Sequence, residues 1–225
     1  MQLVTRRTLI DAGTFTSTPV WKRILSDIEA AIDAVRWPKG AGNFTIYPEP
    51  GKKRGMGNGV KPIKEGFVLK LASLGWKLEN QYPGKPQATK KKDKTPEEIA
   101  AERTARLTYP GAFDAALDLS AEGELPFIVE WETGNVSSSH RALNKMGMAL
   151  TQGKISGGIL VVPTRKLYHF LTDRVGNLEE LMPYFPLFSS LAVQRGYFGV
   201  IAVEHDAESW DVPKISKGTD GRALI

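Results

Sequence analysis

Glu130 and Glu132 are the residues of this chain whose spacing most directly suggests chemistry. In the stretch Asp118 to Glu132, strand alternation places Phe127, Val129 and Trp131 on one face and the two glutamates together on the other. Carboxylates side by side repel one another unless a cation or a proton lies between them. Asp118, on the preceding strand of an expected hairpin, can bring a third carboxylate to the same place, and no lysine of the strand neutralises the group. Oxygen-only ligands suit a hard cation such as Mg²⁺, which keeps several of its waters and tends to share its site with phosphate. Metal-dependent phosphodiester hydrolysis is the chemistry that follows. The plain alternative is a solvent-facing strand edge whose charges discourage aggregation, with Asp118 a turn or cap residue.

The distribution of charge points to a polyanionic partner. The chain carries a net +5, yet residues 51–94 hold twelve Lys and Arg against three acids, so +9 sits there and −4 is spread over the rest. Each Lys or Arg that pairs with a phosphate releases condensed counter-ions, which makes such a region the expected footprint for nucleic acid. Lys52, Lys53, Arg54, Lys90, Lys91 and Lys92 are the candidate phosphate contacts. They fall in two basic loops, at about 41–64 and 80–95. The first, rich in Gly and Pro, reads as irregular and mobile and lacks the GxxxxGK[ST] spacing of a nucleotide loop. A solvated loop whose lysines only aid solubility is the bland reading.

The elements that must position these residues are legible from periodicity. Pro19 to Trp37 reads as an amphipathic helix with Ser17 or Thr18 as its cap, and Gly66 to Trp76 as a short helix. Thr95-Pro96-Glu97-Glu98 opens another helix toward Leu107. After Pro110 the period changes: Phe113 to Ser120 and Leu125 to Glu132 read as paired strands, followed by a helix from about Ser137 to Gln152 and a buried strand from Gly157 to Pro163. Helical material from Thr164 to Leu191 leads to the strand Tyr197 to Val203, and the tail from Glu208 is polar. The expected fold is α/β, a central mixed β-sheet flanked by helices, in a single domain spanning 1–225.

The glutamate pair and its surroundings resemble a known pattern. An Asp, a gap and then Glu-x-Glu in a strand is similar to the PD-(D/E)xK nuclease motif, in the variant whose lysine is replaced by an acid or amide. Val129-Glu130-Trp131-Glu132, with the loop Thr133-Gly134-Asn135 and a helix after it, resembles the type II restriction endonucleases of the BamHI, BglII and BstYI group. Leu71 to Lys77 also resembles a segment of the BstYI-type enzymes, and the likeness covers roughly residues 66–163. It implies a restriction-endonuclease-like fold, with Asp118 and Glu130 as metal ligands and Glu132 in the place of the motif lysine, all three catalytic. Asn135 falls where such enzymes carry a base-contacting residue. The gap from Asp118 to Glu130 is longer than in the BglII type, which leaves Asp114 as a substitute, and Glu98 or Glu102 are candidates for a further upstream acid.

On the helix after the motif, Ser137, His140 and Arg141 are candidate DNA contacts, since orphan N–H groups at a helix start favour phosphate. Lys145 reads as part of a solvated helix face, and His169 and His205 as structural. Ala142, Leu143, Met146, Ala149 and Leu150 form an apolar stripe, by default core, with a dimer seam as the alternative. The function the resemblance implies is a Mg²⁺-dependent type II restriction endonuclease, a homodimer cutting both strands of a short palindromic site in double-stranded DNA. A structure-selective repair or junction nuclease, and a non-catalytic basic nucleic-acid-binding module, are the alternatives. The absence of cysteine excludes disulfides, thiolate metal sites and a cysteine nucleophile. No apolar run approaches the roughly 18 residues of a membrane span, so the expectation is a soluble, intracellular chain with no membrane partner, and the resemblance implies the cytoplasm of a prokaryotic cell.

Overall fold

A computed structural model describes residues 1–53, 55–83, 95–108, 110–132, 134–172 and 175–217. Its centre is a six-stranded mixed sheet. In chain order the elements are β1 (Gln2–Ala12), α1 (Pro19–Asp33), β2 (Thr45–Ile46), α2 (Lys61–Ser73), β3 (Lys77–Asn80), α3 (Pro96–Thr108), β4 (Phe113–Leu117), β5 (Phe127–Trp131), α4 (Val136–Thr151) and β6 (Gly157–Pro163). They continue with α5 (Arg165–Phe170), α6 (Leu178–Leu181), α7 (Phe185–Ser189), β7 (Gly196–Glu204) and β8 (Ala207–Glu208). The sheet order is β1-β7-β6-β5-β4-β3; β5, β6 and β7 run parallel, and the remaining pairs are antiparallel.

Both faces of the sheet are covered, which is why β6 reads as an uninterrupted apolar run with every residue buried. On one face α1 lays down Trp21, Ile24, Ile28 and Ile32, joined by Ile63, Phe67 and Leu71 of α2, against Phe127, Val129 and Trp131. Thr18 caps α1 by accepting from the Trp21 N–H at 3.3 Å. On the other face α4 packs Ala142, Leu143, Met146, Ala149 and Leu150 onto Ile128, Leu160 and Phe198. This stripe is core, and the expected dimer seam along Leu143, Met146 and Leu150 is excluded by its burial.

Three further differences have physical causes. The strand β1 has no clean period-2 signature because irregularities in its pairing with β7, at Leu3/Thr5 and at Thr8/Ile10, shift its alternation twice. β3 lies just before the second basic loop, and its four residues, Lys-Leu-Glu-Asn, hold a single apolar side chain, too little to mark a strand. The described part of the first basic loop is tied down, contrary to its reading as mobile. The Asn58 side chain donates to Tyr47 O at 2.7 Å and Phe170 O at 2.9 Å and accepts from the Ile215 N–H at 3.1 Å. A Cβ at Gly51 would come within 1.5 Å of Leu171 O, so only glycine permits that approach.

Candidate active site

The register of the β4–β5 hairpin decides which acids meet. Ala115 pairs with Val129 and Leu117 with Phe127, so Asp114 and Asp118 stand one residue beyond opposite ends of this ladder, Asp114 at the end next to Glu130 and Asp118 at the end away from it. Asp118 is therefore not brought to the glutamate pair, and this corrects the expectation. Its side chain, 50% exposed, accepts from the Ser120 N–H at 3.0 Å and pairs with Lys77 at 3.2 Å. Those two partners, the Ser120 amide first, pull its carboxyl down to about 2.

Asp114 is bound from two sides: Oδ2 accepts from the Trp131 backbone N–H at 2.9 Å and Oδ1 from Lys64 Nζ at 2.7 Å. Glu130 is only 3% exposed, on a strand interior to the sheet, which excludes the solvent-facing edge reading. Its Oε1 meets Lys145 Nζ of α4 in an ion pair. That ammonium also donates to Ala112 O at 2.6 Å and stands 4.7 Å from the centre of the Phe113 ring. Burial first, then the nearby Asp114 charge, push the Glu130 carboxyl up to about 7 against the opposing pull of Lys145. Burial and Asp114 likewise raise Glu132, opposed by Lys64, the Gly134 backbone amide and Arg141.

Asp114, Glu130 and Glu132 thus sense one another's charge, and two lysines neutralise them in part. Neither lysine was assigned there from the sequence: Lys64 counted toward the polyanion-binding charge, and Lys145 read as a solvated surface residue. Lys145 is in fact 9% exposed. The signal available was its place between Leu143 and Met146, inside the apolar stripe of α4. Lys64 follows the buried Ile63 on α2 and is drawn to Asp114 instead of outward.

The N-terminal half of α4 borders this cluster. Asn135 caps the helix, its Oδ1 accepting from the Ser138 N–H at 3.0 Å. Ser137 and Arg141 are exposed, and His140 sets its ring edge-on to Tyr184 at 4.5 Å. Ser137, His140 and Arg141 line a cavity of about 390 Å³ together with Lys145, which links the cavity wall to Glu130. Lys52 and Lys53 are exposed on the first basic loop, while Arg54, Lys90, Lys91 and Lys92 lie outside the described residues. Glu98, a candidate for the upstream acid, is turned back onto its own helix start, accepting from the Thr95 N–H at 2.8 Å.

The sequence model of the restriction endonuclease BamHI family matches residues 1–222. The chain belongs to the BamHI restriction endonuclease family. It is 40% identical over 216 residues to the type II restriction enzyme OkrAI of Oceanobacter kriegii, covering 96% of this chain and 95% of that one. It is 32% identical over 198 residues to the type II restriction enzyme BamHI of Bacillus amyloliquefaciens, covering 87% of this chain and 80% of that one. Among solved structures, restriction endonuclease BglII complexed with a DNA 16-mer superposes with a TM-score of 0.54 over 92% of this chain and 79% of that one. At 9% identity that likeness supports the α/β restriction-endonuclease-like fold. The family makes this chain a type II, site-specific endodeoxyribonuclease, and the acid cluster is to be understood in that light.

The donor set fits a hard divalent cation. It is all carboxylate oxygen, and among the described residues Glu132 Oε2 is buried with no hydrogen-bond partner, while Glu130 Oε1 has only its ion pair with Lys145. The described residues contain no group of three acids already drawn together as a cation cage, and two ammonium groups pair with Asp114 and Glu130. No helix among them is long and apolar enough to cross a membrane.

Proposed function

We propose that this BamHI-family endonuclease is one nuclease domain over residues 1–225 that uses Mg²⁺ to hydrolyse one phosphodiester bond in each strand of a short palindromic DNA site. It acts as a homodimer in the cytoplasm of a prokaryotic cell. The observation that carries the reading is the position of Asp114 at the Glu130 end of the β4–β5 ladder, where its carboxylate accepts from the N–H of Trp131, the residue between the two glutamates. Asp114 and Glu130 would hold the cation, and Glu132 would orient the attacking water from the position of the motif lysine. A bound Mg²⁺ supplies charge stabilisation at the scissile phosphate and a more acidic water.

Duplex DNA would lie along the start of α4. Ser137 and Arg141 present a donor and a cation there beside the helix N-terminus, with His140 and Asn135 flanking them. Lys52 and Lys53 would track the backbone without reading bases. The second copy would meet α6–α7, where Leu187 is 62%, Tyr184 50% and Met182 41% exposed. A two-fold dimer then presents each half of a palindrome with the same contacts.

Plasmid cleavage by paired variants tests the assignment. Asp114→Asn is expected to lose about a hundredfold or more in rate, as loss of a charge-stabilising group does, whereas Asp118→Asn should cut as the parent does. Comparable losses in both, or full activity in Asp114→Asn, would overturn it.

A further inference from the structure

We propose that Lys145 is a built-in counter-ion for the cation site: its ammonium holds Glu130 in the cation-free protein, releases it when a divalent cation binds, and so sets the affinity of the site. The inference rests on the reading of Asp114, Glu130 and Glu132 as the cation's ligands, and it concerns a positioning residue that acts through Glu130. Three observations carry it. The ion pair is nearly dry, with Glu130 and Lys145 both buried, and a lone charge in that place would be far costlier than in water. Lys145 comes from α4 and not from the catalytic strand, so its side chain can withdraw without disturbing the β4–β5 ladder.

The third observation concerns where the ammonium goes. Lys145 Nζ already donates to Ala112 O at 2.6 Å and lies 4.7 Å from the Phe113 ring centre. A backbone carbonyl and an aromatic face remain as partners once the carboxylate turns away, so the released ammonium is not stranded. Ala112 and Phe113 immediately precede Asp114, which keeps the withdrawn charge close to the cluster. Lys64 plays the same part less strongly at Asp114, being half-buried and open to solvent on one side.

Binding of Mn²⁺ to the full-length protein without DNA, followed by electron paramagnetic resonance, tests this. The parent is expected to bind Mn²⁺ weakly and Glu130→Gln still more weakly. Lys145→Met should bind about tenfold or more tightly than the parent, the scale of a charged hydrogen bond no longer in competition. Lys145→Arg, whose forked guanidinium grips a carboxylate with two bonds, should bind more weakly than the parent. A folded Lys145→Met with parental or weaker affinity overturns the proposal. If that variant does not fold by circular dichroism, unchanged or tighter binding by Lys145→Arg overturns it. Failure of the underlying site reading is distinct: the parent and Glu130→Gln would then bind Mn²⁺ alike, and the role of Lys145 would fall with it.

Discussion

Glu130 keeps a carboxyl group where water barely reaches, beside a second acid and a lysine. Replacing it by Gln should abolish cleavage while DNA binding is kept or improved, because one repulsive charge toward phosphate is gone; a gel-shift and a cleavage assay on the same variant check both halves. Its titration also couples to folding. The folded value of about 7 lies above the ordinary 4.5, so the native state holds the proton more tightly. The stability this contributes is complete below the unfolded value and is lost as the pH rises through 7. Without divalent cations, the melting temperature should therefore fall between pH 5 and pH 8, and Glu130→Gln should flatten the slope. The glutamate pair and its shared face were readable from alternation alone. The third acid was not, because choosing Asp114 over Asp118 required the hairpin register, and residues 118–126 carry no signal that fixes it. Lys145 was hidden for a different reason: a lone lysine in an apolar stripe looks the same whether its amine reaches solvent or folds inward.

Where an element has one clean signal, its sequence specified it: the continuous apolar run of β6 spans Gly157–Pro163 as expected, and the helical period of α4 runs Val136–Thr151 against an expected start near Ser137. β1 escaped because its pairing irregularities break the alternation that would have marked it. The start of α4 matters most for function, since the helix carries Arg141 and Lys145 to the acids. Asn135→Ala removes its cap and should cost about 1 kcal/mol, lowering the melting temperature by about 2–4 °C in a chain of this size; calorimetry measures it. On the first basic loop, replacing Lys52 and Lys53 by Ala should weaken binding to all DNA sequences alike and flatten the salt dependence by roughly one unit per lost phosphate contact. An unchanged slope would mark those lysines as solubilising only.

For the whole molecule, the buried stripe of α4 and the exposed residues of α7 make opposite forecasts. Met146 is fully buried against Gly158, whose added Cβ would meet the Met146 sulfur at 2.9 Å, so Met146→Glu should unfold the chain. Leu187→Glu should leave it folded but monomeric, nicking DNA or inactive. Sedimentation and circular dichroism separate these outcomes, and a folded dimer of Leu187→Glu would move the seam elsewhere. The position of Asp114 relative to Glu130 has a consequence for how such a chain can change over generations. What the site needs is that the two residues meet at the same end of the β4–β5 ladder, not that a fixed number of residues separates them. Insertions within 118–126 leave that end of the ladder intact and should be tolerated. One residue inserted between 114 and 117 would turn Asp114 to the opposite side of the sheet. Drift in length is thus permitted on one side of a sharp boundary and lethal on the other, which is why counting residues between an Asp and a Glu-x-Glu is a poor guide to which Asp belongs to it.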